Sequence, residues 1–302
     1  MVKKIQKVWK STPTIEGAGV HLKRAFGYYQ VPELDPFLLL DDFHSDNPDY
    51  YLAGFPWHPH RGIETITYVL QGSVEHGDSM GNSGIISPGD VQWMTAGSGI
   101  LHQEMPKGGR DNILQGVQLW ANLPAKDKMM APRYRGIIGN EIPVKRVASG
   151  ADVKVICGTI DGVTGPVHDV VADPQYIDVS VPAGTTFIHQ VSPGHTVFAY
   201  VIAGSGYFDN IRNPFAHEAI GENYFDFKRD CRFGAEYLVL YERHGEEVEV
   251  KTEDSSVRFL LVSGRPIGEP VAWYGPIVMN TQEELQVAFD EFKKGTFIKH
   301  RG

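Results

Sequence analysis

The chain has 302 residues, which is too long for one compact core and suits two domains of ordinary size. Hydrophobic residues make up 42% of the sequence and charged residues 22%, so the chain can bury hydrophobic cores and is not expected to be disordered. Its 28 basic and 37 acidic residues give a formal net charge of −9, which argues against a nucleic-acid-binding protein.

The first residues and the cysteines narrow the class of protein further. No apolar run approaches the roughly 18 residues needed to cross a membrane, and residues 1–10 are basic without the apolar stretch of a secretory signal. Cys157 and Cys231 are too few for a disulfide framework or a four-thiolate metal site. We therefore expect a soluble, cytoplasmic protein of two domains, with neither a membrane nor a nucleic acid as partner.

Short apolar runs separated by turn residues predict an all-β fold. Runs rich in β-branched and aromatic residues include TITYVL at residues 65–70, QGVQLW at residues 115–120 and YIDVSV at residues 176–181. Turns that contain glycine and proline bound them, such as SPGD at residues 87–90 and PAG at residues 182–184. This spacing favours an antiparallel sandwich or barrel over βαβ units.

A weak internal repeat indicates two related β-domains in tandem. The string YVLQGS at residues 68–73 returns as YVIAGS at residues 200–205. Residues 124–143 carry prolines, glycines and charges without a clear period, and are the expected break. We therefore expect an N-terminal domain over residues 1–132 and a C-terminal domain over residues 143–302.

A short helix is predicted near the end of the chain, at about residues 281–294. Thr281 and Glu284 form the Thr-x-x-Glu pattern of a capping box, and Gly295 suits the helix end. The apolar residues share one helical face, at positions i, i+4 and i+7: Leu285, Phe289 and Phe292. We expect this face to pack on a barrel.

Two pairs of side chains predict a metal site. His58 and His60 are two residues apart, so they project from the same face if this segment is a strand. His102 and Glu104 share a face by the same argument. On neighbouring strands of one barrel, the two pairs would bring together three nitrogens and one carboxylate oxygen. This set suits a divalent first-row metal that keeps two octahedral positions open for substrate or dioxygen.

The same residues admit other interpretations. Pro59 leaves open that His58 and His60 are merely exposed at an edge or a turn. Glu64 is an even number of residues from His58 and His60, so in an uninterrupted strand it faces the same side as they do. It is then a fifth ligand or an outer-shell acceptor, unless a bulge at Gly62 turns it away. His76 is either a residue near the metal or an ordinary hydrogen-bonded histidine.

The strings around these residues resemble the pirin family, whose members are bicupins. Residues 54–72 resemble the first cupin motif and residues 89–102 the second. The narrower resemblance covers nearly the whole chain and rests on four strings: HPHRG at residues 58–62, QWMTAG at residues 92–97, GILHQEMP at residues 99–106 and PIVMNT at residues 276–281.

The resemblance implies an all-β chain of two tandem cupin barrels (double-stranded β-helices, or jelly rolls) that ends in a short helix. It implies a metal in the first barrel, with the family's ligand set falling on four residues: His58, His60, His102 and Glu104. In that family the glutamate corresponding to Glu64 is not a ligand. We expect one divalent metal per chain, Fe(II) in the first place, with Mn, Co, Ni, Cu or Zn as alternatives.

The second predicted domain offers a poorer ligand set. Its segment aligned with the first motif supplies His195 alone, where a pair is needed. His244 and Glu246 copy the spacing of His102 and Glu104, but they lie in a charged run that is typical of a solvated turn. We therefore expect this domain to be structural, or a lid, and to bind no metal.

The resemblance also implies an activity, since several bacterial pirins are quercetin 2,3-dioxygenases. Three neutral imidazoles, one carboxylate and a divalent metal would leave one net positive charge, which favours a substrate bound as a monoanion, such as a flavonol or another aromatic enol. Glu104, already at the metal, is the natural base for the hydroxyl proton. The resulting enolate would then react with O2 as its ring opens.

Other function classes stay open at this point. The alternative to a dioxygenase is a metal-bound protein-interaction or redox-sensing regulatory module without turnover, for which a protein partner would be needed. A metal-dependent isomerase would need no oxygen. Animal pirin is a nuclear transcriptional co-regulator, but this chain has no Lys/Arg cluster of the nuclear-targeting kind.

Overall fold

A computed structural model describes residues 1–221 and 230–300, and these residues form mainly β-strands, as predicted. The chain divides into two compact units. One unit comprises Thr12–Glu141 and Ile267–Gly302 and is called here the N-terminal barrel. The other comprises Met1–Ser11 and Ile142–Pro266 and is called the C-terminal barrel.

The strands are numbered in chain order. Those up to the middle of the chain are β1 (Ile5–Lys10), β2 (Thr12–Glu16), β3 (Val20–Phe26), β4 (Phe37–Asp42), β5 (Phe55–His60), β6 (Ile63–Gln71), β7 (Ser73–Asp78), β8 (Ser83–Ile86), β9 (Val91–Thr95), β10 (Ile100–Lys107), β11 (Gln115–Asn122), β12 (Arg133–Ile137) and β13 (Val144–Arg146). The strands that follow are β14 (Asp152–Cys157), β15 (Thr159–Ile160), β16 (Val163–Thr164), β17 (Gln175–Val181), β18 (Thr186–Gln190), β19 (Thr196–Tyr207), β20 (Glu218–Ile220), β21 (Arg232–Gly234), β22 (Tyr237–Tyr241), β23 (Glu247–Lys251), β24 (Val257–Gly264), β25 (Ala272–Tyr274) and β26 (Ile277–Met279).

Helical structure is short. The α-helices are α1 (Val31–Leu34) and α2 (Gln282–Lys293). Single 3-10 turns lie at Tyr28–Gln30, Pro48–Tyr50, Arg110–Asn112 and Gly139–Glu141. Within the described residues, no helix is both long enough and apolar enough to cross a membrane.

The N-terminal barrel is built from two antiparallel sheets. One has the strand order β5-β10-β7-β8, and the other has the order β12-β9-β6-β11-β4-β3-β2. The hairpin β25–β26 is attached to the segment between β5 and β6 by a bridge between Ile277 and Arg61. Buried apolar side chains such as Ile63, Met94 and Val278 pack between these elements.

The C-terminal barrel is formed by one large sheet with an apolar interior, and the short hairpin β15–β16 belongs to the same unit. Its main path runs β13-β14-β17-β24-β19-β22-β1-β20, and β18, β21 and β23 pair beside it. The core is filled by fully buried valines and aromatic rings, including Val153, Val179, Val197 and Phe259. The YVIAGS string lies within β19, where Gly204 has a φ of 70°, whereas the matching Gly72 of the other unit, with a φ of 78°, directly follows the end of β6.

The compact units exchange the two ends of the chain relative to the domains expected from the sequence. β1 pairs with β22, placing Val8 opposite Val239, so the first residues complete the C-terminal barrel. β26 and α2 belong to the N-terminal barrel, where Val278 is buried beside Ile63. The units differ from the expected domains because strands pair over long distances in the sequence, and the order of motifs along the chain does not reveal such pairing.

Helix α2 begins after Thr281 and has the predicted capping box. Thr281 accepts a hydrogen bond from the Glu284 backbone N–H, and the Glu284 side chain accepts from the Thr281 backbone N–H. The buried face consists of Leu285 and Ala288, whereas Phe292, assigned to this face from the sequence, is 41% exposed. The helix therefore packs on the barrel with a slightly rotated stripe.

Lys128 is buried inside the N-terminal barrel, with 1% of its surface exposed. Its Nζ donates to the carbonyl of Gly62 at 2.9 Å, to Asn122 Oδ1 at 2.6 Å and to the carbonyl of Val278 at 3.1 Å. The lysine thus ties three segments of the barrel together. Burial lowers the pKa of Lys128 to about 7, although acidic side chains nearby oppose this shift.

Stability is expected to rise with pH where only the unfolded chain keeps Lys128 charged. Below about pH 7, Lys128 is charged in the folded and in the unfolded chain, so the full cost of burying the charge lowers the stability of the fold. Between about pH 7 and 10.5 only the unfolded chain keeps the charge, so it binds one more proton than the folded chain. One proton corresponds to a slope of about 1.4 kcal/mol per pH unit. Urea unfolding of the wild type and of Lys128→Met across this range should show a difference in slope. Equal slopes would contradict the expectation.

Candidate metal centre

Strands β5 and β10 carry the candidate ligands and pair antiparallel. Their register places His58 directly opposite His102, and His60 opposite Ile100. Cross-strand partners have Cβ atoms about 5 Å apart, so the rings of His58 and His102 meet, with centroids 4.3 Å apart. The rings of His58 and His60 are also in contact, as the two-residue spacing predicts, with centroids 4.8 Å apart.

The three histidine rings converge through their ring nitrogens. His58 Nε2 lies 3.1 Å from His60 Nε2 and 2.9 Å from His102 Nε2. Ligand atoms of the three residues all lie within 4.8 Å of one another. His58 is partly buried, while His60 and His102 are 1% and 0% exposed. We call these three residues the histidine cluster.

Hydrogen bonds on the outer ring nitrogens of His58 and His60 indicate the tautomer of each ring when it is neutral. His58 Nδ1 lies 2.9 Å from the carbonyl oxygen of Pro56, and His60 Nδ1 lies 3.0 Å from that of Pro276. A carbonyl only accepts hydrogen bonds, so in each neutral ring Nδ1 carries the proton and Nε2 carries a lone pair. Two such lone pairs 3.1 Å apart repel each other unless a cation compensates them. The donor set therefore fits a divalent metal.

Burial keeps His60 and His102 in the form that ligates metal. Burial lowers the pKa of His60 well below the ordinary histidine value, and the neighbouring His58 lowers it further. The pKa of His102 is also well below that value, because of burial first and then its histidine neighbours. Both rings are therefore neutral at neutral pH, and neutral imidazole is the form that ligates metals.

Glu104 follows His102 on β10 and is held by side chains of the facing sheet. Its Oε1 accepts from Thr67 Oγ1 and from Gln118 Nε2, each at 3.0 Å, and its Oε2 accepts from Gln118 Nε2 at 2.9 Å. Trp120 Nε1 donates to Gln118 Oε1 at 2.9 Å, which orients the amide so that its NH2 faces Glu104. Among the described residues, the group of mutually close ligand atoms contains the three histidines and does not include Glu104.

Among the described residues, Glu64 does not belong to the group of mutually close ligand atoms that forms the histidine cluster. Gly62 has a left-handed φ of 78° between β5 and β6, and its N–H donates to the Gly97 carbonyl at 2.8 Å. A Cβ at Gly62 would lie 1.9 Å from the Val278 carbonyl oxygen, so this turn requires glycine. Beyond it, Glu64 accepts from Thr95 Oγ1 at 2.6 Å, and burial raises its pKa. Gly62 thus lies in the turn between the two histidines of β5 and Glu64, whose carboxylate accepts from Thr95.

His76 lies beside the cluster on β7, directly opposite Glu104. Its ring stacks on Tyr134 at 5.1 Å and lies 5.6 Å from that of His102. His76 Nε2 is 3.3 Å from Asp78 Oδ2, and both side chains are buried. His76 is thus a hydrogen-bonded neighbour of the candidate ligands, and its ring nitrogens are not part of the cluster.

The histidine cluster opens into a cavity of about 670 Å³ in the N-terminal barrel. This volume lies within the range of small-molecule sites. His58, His60, Glu104, Thr67 and Gln118 line it together. Aromatic side chains form much of the remaining wall: Tyr28, Phe43, Phe55, Trp120, Trp273 and Tyr274. The arrangement can accommodate an aromatic ligand in contact with the histidines and the carboxylate.

The sequence patterns do not mark Thr67, Gln118 or Pro276 as parts of this site. Thr67 and Gln118 are polar residues inside apolar strand runs and are paired across β6 and β11. Their positions inside these runs were a usable signal, since a polar side chain facing a barrel interior needs a partner. Pro276 contributes only its carbonyl, and no side-chain pattern can reveal that contact.

The C-terminal barrel places its histidines differently. His195 is buried, with Nε2 3.9 Å from Asp173 Oδ2, and His244 is exposed in a turn after β22. Apolar side chains fill the interior of this barrel. Elemental analysis of the purified protein is therefore expected to find about one metal per chain. Two metals per chain, or a crystallographic metal at His244, would contradict this prediction.

Comparison with known proteins supports the assignment of family and fold. The family model described as Pirin matches residues 19–121, and that described as Pirin C-terminal cupin domain matches residues 176–298. A Caulobacter vibrioides pirin-like protein is 42% identical over 297 residues, covering 98% of this chain and 99% of the relative. A Pseudomonas aeruginosa protein, provisionally named a quercetin 2,3-dioxygenase, is 38% identical over 287 residues, covering 94% of each chain.

A solved structure confirms the fold over nearly the whole chain. It is the crystal structure of quercetin 2,3-dioxygenase from Acinetobacter baumannii, which matches with a TM-score of 0.84 at 31% identity and covers 98% of this chain and 99% of that one. The prediction of two cupin domains followed by a short helix is confirmed. With both family models matched in order along one chain, this protein belongs to the pirin family.

Proposed function

We propose that His58, His60, His102 and Glu104 hold one divalent metal and that the protein is a dioxygenase acting on a flavonol or a similar aromatic enol. The observation that carries the proposal is the cavity in which lone-pair nitrogens, a carboxylate and aromatic walls meet. The Acinetobacter structure supports it, because a protein 31% identical over the whole chain is named a quercetin 2,3-dioxygenase. Fe(II) is the first candidate metal, with Mn, Co, Ni, Cu or Zn as alternatives.

The charge of the proposed site selects the substrate class. Three neutral histidines and one carboxylate around a divalent metal leave one net positive charge, which attracts a ligand that binds as a monoanion. An aromatic enol loses one proton to become such an anion, and its ring suits the aromatic wall of the cavity. When bound, the metal would supply a Lewis acid that lowers the pKa of the enol hydroxyl and an open position for dioxygen.

The residues of the chain supply orientation and a proton acceptor. Pro276 fixes the His60 ring through Nδ1, as outer hydrogen bonds do for metal-binding histidines. Thr67 and Gln118 fix the Glu104 carboxylate, and the fewer hydrogen bonds on its Oε2 leave that oxygen the better proton acceptor. Glu104 therefore takes the enol proton as the general base.

Oxygen uptake tests the proposed activity. Protein loaded with Fe(II), and separately with the alternative metals, should consume O2 when quercetin is added and bleach the visible band of the flavonol. Protein that binds metal and leaves quercetin and related flavonols untouched in air would contradict the proposal and favour a regulatory module without turnover. Conversion of the substrate without oxygen consumption would indicate an isomerase.

A further inference from the structure

A row of polar side chains on the larger sheet lines the same cavity and runs away from Glu104, from β6 to β3. The register pairs Thr67 with Gln118, Gln118 with Asp41, and Asp41 with Arg24, on β6, β11, β4 and β3 in turn. All four residues line the cavity. Asp41 lies two strands from Thr67, about 10 Å along the sheet at the usual strand spacing. The two ends of the row can thus contact different parts of one multi-ring ligand.

The far end of this row is an ion-pair group that we call the acidic clamp, formed by Arg24, Asp41 and Glu16. Arg24 Nε and Nη2 donate to Asp41 Oδ1 and Oδ2, both at 2.8 Å, and Arg24 Nη1 lies 2.9 Å from Glu16 Oε1. Two carboxylates around one guanidinium leave one net negative charge. Each Asp41 oxygen accepts one hydrogen bond from Arg24 and has capacity for another.

Carboxylates only accept hydrogen bonds, so the acidic clamp recognises donors and repels anions. An aromatic ligand that carries hydroxyl groups on the ring remote from its enol satisfies this requirement together with the aromatic wall. Resting on the proposed function, we infer that the acidic clamp selects polyhydroxylated aromatic enols, binding the hydroxyls of the remote ring while the enol faces the histidine cluster. Arg24, Asp41 and Glu16 are therefore specificity-determining residues.

A purely structural role would give a different result. A partly buried ion pair contributes little net stability, and replacing both partners by apolar residues of similar size is often neutral or stabilising. If the acidic clamp only joined β3 to β4, its removal would change the binding of all ligands alike. Recognition instead predicts a change confined to ligands that carry the remote hydroxyls.

Anaerobic calorimetry on the metal-loaded protein tests the inference with two ligands. One is quercetin, with two adjacent hydroxyls on its pendant ring, and the other is the flavonol that matches it but lacks both. The wild type should bind quercetin about 10- to 100-fold more tightly, the range expected for hydrogen bonds to a charged group. The variant Arg24→Leu/Asp41→Leu should lose this preference. Its affinity for the hydroxyl-free flavonol should change by less than about threefold, well below the effect expected for the hydroxyl contacts.

Control variants separate recognition from folding. Arg146→Leu/Asp152→Leu removes an exposed ion pair of the same bidentate geometry in the C-terminal barrel and should leave the preference intact. Glu16→Gln changes only the more exposed carboxylate and should reduce the preference; it replaces the double variant as the test if the latter does not fold. Equal affinity of the wild type for both ligands, no binding of either, or a preference that survives the clamp variant would overturn the inference.

Failure of the inference is distinguishable from failure of the proposed function, because binding is measured without oxygen. Selective binding of quercetin with no oxygen uptake in air would overturn the proposed activity and support the acidic clamp. Equal binding and equal oxygen uptake with both flavonols would support the activity and overturn the acidic clamp.

Discussion

The variant His60→Ala/His102→Ala is expected to bind no metal. The purified protein is incubated with metal, unbound metal is removed by dialysis, and the bound metal is measured by elemental analysis. Each histidine is buried and supplies a nitrogen to the histidine cluster. Loss of an outer-shell partner alone typically costs 10- to 100-fold in metal affinity, about 1.4 to 2.7 kcal/mol. Removal of two direct ligands should cost much more, because Glu104 and His58 alone cannot complete the site.

A matched control separates loss of the site from loss of a histidine. His44→Ala removes an exposed histidine of the same barrel and should keep about one metal per chain. Far-ultraviolet circular dichroism of the double variant should match that of the wild type. Without metal, the ring nitrogens of the cluster repel each other, so removing two of the rings should not unfold the barrel. Full metal occupancy in the folded double variant would refute the ligand assignment.

The local part of the site could be predicted from the sequence. Strand periodicity put His58 with His60 and His102 with Glu104, and the structure brings the three histidines together. It does not put Glu104 among the mutually close ligand atoms, because Thr67 and Gln118 hold the carboxylate. Those hydrogen bonds come from a facing sheet, and periodicity within one strand carries no information about them.

Non-local contacts account for what the sequence did not reveal. The carbonyl that orients His60 belongs to Pro276, 216 residues away. The N-terminal strand β1 completes one barrel and the C-terminal hairpin and helix complete the other, so neither compact unit is one continuous stretch of sequence. Backbone carbonyl acceptors, and chain ends that pair with distant strands, leave no periodic pattern in the sequence. The capping box of α2 depends on residues only three apart, and it was predicted correctly.

The variant Glu104→Gln is expected to lower turnover of quercetin by at least about 100-fold per bound metal, the lower range for loss of a general base. Glutamine keeps the size of the side chain, and its one oxygen can still accept from Thr67 and Gln118 in the place of Oε1. Its NH2 cannot accept from Gln118 as Oε2 does, and the side chain loses the negative charge and cannot take the enol proton. Turnover is measured as oxygen uptake and normalised to metal content, because an amide oxygen is also a weaker ligand than a carboxylate.

The same substitution at Glu64 is the matched control for this prediction. Glu64 is also a buried glutamate of the N-terminal barrel, but it accepts from Thr95 and does not line the cavity. Glu64→Gln preserves that acceptor and should leave turnover per metal within a few-fold of the wild type, the scale of ordinary context effects. If turnover per metal of Glu104→Gln also stays within a few-fold of the wild type, Glu104 is not the base. The enol proton must then leave by another route. The buried pair His76–Asp78, on the strand that faces Glu104, is the next group to vary.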